Sequence, residues 1–275
     1  MSRHRLIATL LVYKGDVVQT RRFKRTNMVG SAFAAVEFFN AWAVDEIMVL
    51  EISDDDRFRD HFLEIVEELS RRCFVPLTVG GKIADLERVR AYTRAGADKV
   101  VINSGALRVP GLLEEVAAGY GSQALVVSID ARPDAAMPSG YRVMIGNGRE
   151  ETEFDAIDWA RRVVARGAGE LMVNSTEHDG NKRGYDLELT RRVAAAVDVP
   201  VIAMGGVGDW QHMVDGIVEA GADAVAAGNI FHYTEHSTKK AKEYLIAKGL
   251  DVRIPTFYKI SLPRRPRYRT QSVGR

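Results

Sequence analysis

A carboxylate at the end of an apolar run is the first feature of this sequence that could do chemistry. The run LVVSIDARP, residues 125–133, is apolar up to Asp130. A carboxylate that ends a buried strand is well placed for general acid or base work. The sister run LIATLLVYKG, residues 6–15, has Leu11 in the matching place, and a leucine side chain neither donates nor accepts a proton. We therefore predict a catalytic role for Asp130 and none for Leu11.

Paired glycines follow two other apolar runs, in GGKI and GGVG, and each pair precedes a helical pattern. Glycine lets a backbone approach a ligand closely, and the N-terminus of the following helix favours an anion. Small residues and amide donors occur nearby in INSGA (102–106) and AAGNIF (226–231). The duplicated pattern predicts two phosphate sites, which draw on Gly80, Gly81, Lys82, Asn103, Ser104, Gly205, Gly206, Gly228 and Asn229.

Two polar segments are expected beside these sites. STEHDGNKRGYD (175–186) offers Asp179, Gly180 and Lys182 for a polar or phosphorylated substrate, whereas His178 has no partner pattern and is interpreted as a loop residue. The segment YKGDVVQTRRFKRTNMVGS, residues 13–31, is predicted to be a long loop over the same mouth. A cluster of cations there predicts a lid that grips an anionic substrate, with Arg21, Arg22, Lys24 and Arg25.

The elements that must position these residues alternate regularly along the chain. Eight short apolar runs, starting with LIATLL (6–11) and ending with DAVAAG (223–228), are separated by helical patterns. Apolar strands that alternate with helices indicate a parallel sheet covered by helices, and eight units indicate a closed (β/α)₈ TIM barrel. A doubly wound open sheet is the alternative.

An internal repeat counts against that alternative. The segment 79–106, with VGGKI and AGAD, lines up with the segment 204–231, with MGGVG and AGAD. Such self-similarity is the signature of a repeated architecture. The chain is therefore predicted to be a barrel of two half-barrels over residues 1–252, followed by a basic C-terminal tail over residues 253–275.

Composition limits the class of protein. The chain has 275 residues, 46% of them hydrophobic, and a formal net charge of +1, as an ordinary soluble globular protein has. Its single cysteine, Cys73, excludes a disulfide within the chain and is expected to be buried. No run is long enough to span a bilayer or serve as a signal peptide, so a cytoplasmic protein is expected. The six histidines show no ligand spacing, so neither a metal nor a cofactor is expected, and nothing beyond the tail suggests nucleic acid.

These motifs resemble those of the HisF family, the cyclase subunit of imidazole glycerol phosphate synthase, over about residues 5–253. The matching segments include VDEIMVLEIS, PLTVGGKI, GSQALVVSIDA, GAGELMVNSTEHDGNKRGYD and GADAVAAGNIFH. The resemblance implies a glutaminase docked on the N-terminal face of the barrel. It also implies ammonia passing through the barrel to an active site on the other face, where two aspartates act, at the ends of strands one and five.

The resemblance is uneven at that active site. Asp130 matches the strand-five aspartate, whereas Leu11 replaces the strand-one aspartate, so the family's two-carboxylate mechanism cannot run. Asp179, Gly180 and several phosphate-loop residues are retained. Further departures from the family pattern are Glu51 for aspartate, Lys82 for glycine, Asn174 for threonine, Met204 for serine and Asn229 for serine. Of these, Lys82, Asn174 and Asn229 are still expected to bind the substrate or its phosphate groups.

The opposite face matches the family fully in residue type. The family's charged gate of one arginine, two glutamates and one lysine corresponds to Arg5, Glu46, Lys99 and Glu170, and its glutaminase-pairing aspartate corresponds to Asp98. A tetrad that only plugs the barrel bottom is the alternative. Retention of both features favours an ammonia conduit.

Three functions follow as hypotheses. The first is a HisF-like subunit of the branch that serves surface-polysaccharide pathways. It works with a HisH-like glutaminase and a separate sugar amidotransferase to turn an acetamido group of a nucleotide sugar into an acetamidino group. The Leu11 position and the segment 9–40 favour it. The second is a true imidazole glycerol phosphate synthase cyclase that uses Asp130 alone. The third is a non-catalytic barrel that binds a partner.

Overall fold

The chain closes into a barrel of eight parallel strands, seen in a computed structural model that describes residues 3–232 and 237–255. Each barrel strand pairs with its neighbours in parallel, and the sixth pairs with both the fifth and the seventh, which closes the ring. The barrel prediction is confirmed and the open-sheet alternative is wrong. The barrel strands are β1 (Arg5–Tyr13), β4 (Glu46–Glu51), β5 (Leu77–Gly80), β6 (Lys99–Ile102), β7 (Leu125–Pro133), β10 (Glu170–Ser175), β11 (Val201–Met204) and β12 (Ala224–Ala227).

Helices cover the outside of the barrel. Several begin at a side-chain cap that satisfies a backbone N–H of the first turn, as at Asp85, where the carboxylate accepts from Arg88 N at 2.7 Å, and at Asp155 and Asp186. The helices of the described residues are α1 (Ala32–Ala41), α2 (Arg59–Ser70), α3 (Leu86–Arg94), α4 (Ser104–Arg108), α5 (Leu112–Tyr120), α6 (Ala156–Ala165), α7 (Leu187–Ala194), α8 (Gln211–Val218) and α9 (Ser237–Ala247).

Side-chain alternation along each barrel strand separates two apolar regions. On β1, Leu6, Ala8 and Leu10 face outward into the large core between strands and helices. The intervening Ile7 belongs instead to a second cluster inside the barrel, and Leu11 packs against that cluster. The inner cluster consists of Ile7, Met48, Val101, Val126, Met172, Ile202, Met204, Ala224 and Ala226.

Two antiparallel hairpins stand on the barrel, and the sequence did not predict either. The segment expected to be a long loop is a hairpin of β2 (Asp16–Arg21) and β3 (Lys24–Gly30), which extends β1 through the pair Leu11 and Val18. A second hairpin of β8 (Tyr141–Ile145) and β9 (Glu150–Asp155) extends β7 in the same way, through Asp130 and Met144. Each half-barrel thus carries one antiparallel hairpin that extends its first strand, β1 or β7.

The end of α9 returns to the start of the barrel. His4 pairs with Val252 in a parallel bridge. The buried Asp45 carboxylate binds Lys242 of α9 and, at 3.1 Å, Arg253 Nε. The predicted basic tail starts here, but its residues 256–275 lie outside the described residues. No helix in the described part of the chain is long and apolar enough to cross a membrane.

Cys73 lies in the turn between α2 and β5. Its side chain is partly exposed rather than fully buried as expected. The thiol donates to Val75 O at 3.1 Å, and burial raises its pKa. A protonated, partly covered thiol agrees with a packing role.

Candidate active site

A cleft of about 1040 Å³ opens at the carboxyl ends of the barrel strands, between the two hairpins. Both hairpins contribute to its wall, through Phe23 on one side and Gly148 on the other, where an added Cβ would lie 3.1 Å from the Phe23 ring. Chemistry in a βα barrel is placed at this end. The predicted residues that line the cleft are Arg22, Lys24, Arg25, Gly81, Lys82, Asn103, Ser104, Asp130, Asn174 and Asp179.

Asp130 lies at the floor of the cleft with its side chain buried. Its Oδ1 accepts a hydrogen bond from Ser128 Oγ at 3.0 Å. Burial raises the pKa of Asp130 to about 7, against the Ser128 hydrogen bond that favours the charged form. A carboxyl that titrates near neutral pH suits proton transfer. Leu11 and Met204 line the same cleft and supply no second carboxylate.

The Gly81–Lys82 turn forms one wall of the cleft. Both residues have positive φ, and a Cβ at Gly81 would lie 2.5 Å from Glu51 O, so glycine is required there. Lys82 Nζ pairs with Asp56 Oδ1 at 3.0 Å. Burial raises the pKa of Glu51, whose Oε1 accepts from Ser53 N at 2.8 Å. This wall therefore combines the Lys82 cation with the carboxylates of Glu51 and Asp56.

Asn103 and Ser104 link this wall to the second hairpin. Asn103 Nδ2 donates to Ser128 O at 3.0 Å, and Ser104 Oγ donates to Asn103 Oδ1 at 3.0 Å. The same hydroxyl accepts from Gly146 N at 3.0 Å. The Asp85 cap accepts from Arg88 N in the first turn of the helix after Lys82, and its carboxylate competes with an anion there. Any anion held here would rest on the loop amides and side chains.

The retained Asp179 and Gly180 hold the first hairpin onto the barrel mouth. Asp179 Oδ2 accepts from Phe23 N at 2.8 Å, and its Oδ1 accepts from Thr20 Oγ1 at 3.1 Å. A Cβ at Gly180 would lie 2.0 Å from Thr20 O. Burial also raises the pKa of Asp179. These contacts give both residues a structural role, and their predicted substrate contact remains a prediction.

The second glycine pair lies under this hairpin. A Cβ at Gly206 would lie 2.1 Å from Gly184 O, and one at Gly228 would lie 3.0 Å from Thr9 O. Asn229 Nδ2 donates to Thr20 O at 3.0 Å. The remaining cavity beside Gly205 is about 30 Å³. The two predicted phosphate loops therefore differ, since one faces the open cleft and the other is covered.

The predicted lid cations sit on the first hairpin. Arg22, in the turn, pairs with Glu177 at 3.3 Å, and the Arg25 guanidinium stacks 3.8 Å from the Tyr13 ring centroid. Arg22, Lys24 and Arg25 line the cleft, whereas Arg21 lies outside it. Their grip on an anion remains a prediction.

Sequence reasoning missed the contribution of the second hairpin. Gly146, Asn147 and Arg149 line the cleft, and Asn147 Nδ2 donates to Ile52 O at 3.3 Å across it. The sequence did contain a signal, because Gly146-Asn147-Gly148 is a strong turn sequence. In the structure, Gly146, Asn147 and Gly148 all have positive φ. Arg59 and Arg108 also line the cleft and were not singled out.

The four predicted gate residues form one ionic network at the amino-terminal end of the barrel. Arg5 Nη1 binds Glu46 at 2.6 Å, and its other terminal nitrogen binds Glu170. Lys99 Nζ completes the ring, at 3.1 Å from Glu46 and 2.9 Å from Glu170. Thr78 Oγ1 adds a hydrogen bond to Glu46 at 2.6 Å, and burial lowers the pKa of Lys99.

Asp98 lies at the same end and is exposed. Its Oδ2 accepts from Leu77 N at 2.8 Å. Asp45 and Asp223 accept in the same way from Leu6 N and Val201 N, each at 2.9 Å. Accepting from the first N–H of a neighbouring strand thus explains Asp98 without a docked protein. Its role in docking a glutaminase stays a prediction.

Comparison with known families agrees with this architecture. The model of one family, described as histidine biosynthesis protein, matches residues 5–237. The match spans all eight barrel strands and includes the gate, the cleft and both hairpins. The chain therefore belongs to the histidine biosynthesis protein family and is a HisF-like barrel.

Proposed function

We propose that this chain is the ammonia-accepting synthase subunit of a glutamine-dependent complex. A HisH-like glutaminase docks at the gate end, and ammonia passes through the barrel to the cleft. There it serves the amidination of an acetamido nucleotide sugar in surface-polysaccharide biosynthesis, with a separate sugar amidotransferase. The proposal places the protein in the cytoplasm, where nucleotide sugars are made.

The contrast between the two ends of the barrel supports this proposal. The gate has all four of its charged residues, and each acidic member contacts both cations. The cleft holds Asp130, but Leu11 stands at the matching end of β1. A barrel that still has the parts for receiving ammonia, and lacks the paired carboxylates for ring closure, fits ammonia delivery better than imidazole formation.

The chemistry of amidination agrees with such a cleft. The reaction replaces the carbonyl oxygen of an acetamido group by a nitrogen from ammonia, so it needs an activated amide and no ring closure. One polar acid–base group beside an apolar floor is sufficient to manage the proton that the incoming nitrogen loses. The cationic hairpin edge, with Lys24 and Arg25, suits the diphosphate of a nucleotide sugar.

The test is reconstitution. The chain is purified with its HisH-like glutaminase and a sugar amidotransferase, and supplied with glutamine, ATP and an acetamido nucleotide sugar. We expect glutamine hydrolysis to be coupled to a product that has exchanged one oxygen for NH, detected by mass spectrometry. A stable complex that forms imidazole glycerol phosphate from the histidine-pathway ribonucleotide would overturn the proposal.

The second candidate is a true cyclase, and the pKa of about 7 at Asp130 favours it, because a single group near neutrality can both take and return a proton. Leu11→Asp separates the two functions. The variant raises cyclase turnover if the chain is a cyclase and has no useful effect on amidination. The third candidate is a non-catalytic barrel. It requires that a glutaminase bind the chain and that the complex form no ammonia-dependent product.

A further inference from the structure

The side chain of Asn174 has an unexplained feature. It is buried at the floor of the cleft, and its Oδ1 has no hydrogen-bond donor among the described residues. A buried carbonyl oxygen without a donor costs free energy, on the order of 1–3 kcal/mol. Such a group is therefore expected to have a ligand that donates to it.

The position of Asn174 indicates what that ligand is. Strand β10 points three buried residues inward in succession, which are Glu170 in the gate, Met172 in the inner apolar cluster and Asn174 in the cleft. With about 3.3 Å of rise per residue, Asn174 lies about 13 Å from the gate along the strand. It is thus the first hydrogen-bond acceptor that β10 presents above the apolar cluster.

The apolar cluster determines whether ammonia passes through the barrel as the neutral molecule or as the ammonium ion. Its members are aliphatic side chains and methionines, which offer no partner to a cation. Moving an ammonium ion through such a layer is costly, whereas neutral ammonia passes with little penalty. A neutral molecule that leaves this layer carries three N–H donors and one lone pair, and it requires acceptors rather than donors.

Asn174 and Asp130 are in register on neighbouring strands, with their side chains on the same inner face. Asp130 Oδ1 is oriented by Ser128. Asn174 Oδ1 packs against Gly205, because a Cβ at Gly205 would lie 2.3 Å from this oxygen. The surrounding cleft residues Leu11, Met172 and Met204 are apolar. Asn174 Oδ1 and the Asp130 carboxylate are therefore neighbouring acceptors beside these apolar side chains.

We propose that Asn174 Oδ1, beside Asp130, is the site that receives ammonia as it leaves the barrel interior. By accepting its N–H groups the site turns the lone pair of the nitrogen toward the cleft, where the electrophile lies. Asn174 is then a positioning residue for ammonia. The inference rests on the proposed ammonia-delivery function and adds to it the place where the molecule is held.

The first experiment needs no sugar substrate. Protein with ¹⁵N-labelled asparagine side chains is titrated at mildly alkaline pH with ammonium chloride, and with sodium chloride at the same ionic strength. The Asn174 amide signals are identified by their absence in Asn174→Leu. We expect a saturable shift with ammonium chloride alone. Equal shifts with both salts, or none, overturn the proposal.

The second experiment uses the full complex with the glutaminase. It compares Asn174→Leu, which removes the acceptor at similar volume, with Asn174→Thr, which keeps an oxygen. The ratio of captured ammonia to hydrolysed glutamine falls about fivefold in the leucine variant, as expected for one lost hydrogen bond, and is recovered in the threonine variant. A leucine variant that captures ammonia as well as the unaltered chain contradicts the proposal.

The two experiments also separate this inference from the proposed function. An ammonium-specific shift without any amidinated sugar leaves the ammonia site standing and removes the sugar substrate. Amidination without an ammonium-specific shift supports the sugar substrate and removes the ammonia site at Asn174.

Discussion

The two ends of the barrel stabilise their polar groups in different ways. At the amino-terminal end, Arg5, Glu46, Lys99 and Glu170 neutralise one another within a single ring. At the carboxyl end, Asp130 and Asp179 have no cation against them among the described residues and depend on hydroxyls, backbone amides and the hairpins. The gate is thus a self-contained unit, whereas the cleft is assembled from distant segments and has raised carboxyl pKa values.

The largest effect is expected from breaking the gate. Glu46→Ala removes one of the two acidic partners of Arg5 and Lys99, together with the hydrogen-bond acceptor of Thr78, and we expect the free energy of unfolding to fall by about 3 kcal/mol. The value lies at the low end for a buried pair, because Arg5 and Lys99 keep 28% and 19% of their side chains exposed. Urea unfolding measures it. Glu46→Gln keeps the shape of the side chain, so its free energy of unfolding should fall less. Equal falls in the two variants would show that the charge of Glu46 does not matter.

The next effect tests whether the cleft depends on its hairpin. Gly180→Ala places a Cβ against Thr20 O and should cost about 2 kcal/mol, since strain in the left-handed backbone adds to the clash. Gly140→Ala is the matched control, because Gly140 also has positive φ but open space around it, and should cost about 1 kcal/mol. Hydrogen exchange should accelerate in residues 16–30 only in Gly180→Ala. Equal exchange in both variants would separate Gly180 from the hairpin.

A smaller effect follows from the raised pKa of Asp130. The folded carboxyl, with a pKa of about 7, holds its proton more tightly than the unfolded one at about 4, so stability falls as pH rises between these values. Asp130→Asn cannot lose this proton. We expect the variant to gain on the order of 1 kcal/mol over the unaltered chain between pH 6 and pH 8. Urea unfolding at both pH values measures the difference, and a constant difference would mean that Asp130 is not the titrating group.

The smallest effect is expected at the Lys82 turn. Lys82→Gly relieves a left-handed backbone but loses the pair with Asp56, so the two contributions nearly cancel, within about 0.5 kcal/mol. Asp56→Asn removes the pair alone and serves as the control. Thermal unfolding compares the two variants. A large loss in Lys82→Gly would show that the lysine supports the fold rather than the cleft.

The barrel could be predicted because its signal is periodic, whereas the gate was predicted from the resemblance of its four residues to the charged gate of the HisF family. Eight apolar runs reveal the strands, and charges at strand starts such as Glu46 and Glu170 stand out against an apolar background. The inward face then follows from the alternation of side chains along each strand.

The cleft could be predicted only in part, because its walls depend on hairpins with weak signals. The turn of the first hairpin is Arg22–Phe23, both with positive φ and neither a glycine nor an asparagine, so the usual turn sequence is missing. Strand β3 is exposed almost throughout and shows no alternation. The docking of Thr20 on Asp179 is a contact between segments 159 residues apart, which no local pattern reports.

The closure between the ends of the barrel has a consequence for how the chain can be connected. His4 N donates to Asp251 O at 2.9 Å, and Arg3 pairs with Asp251 at 3.3 Å. A short linker from residue 252 to residue 4 would therefore span almost no distance. New ends at Gly121, which has positive φ between α5 and β7, would then produce a circular permutant in which the second half-barrel is synthesised first. In such a permutant the gate would form late in translation, since Arg5, Glu46 and Lys99 would all follow Glu170.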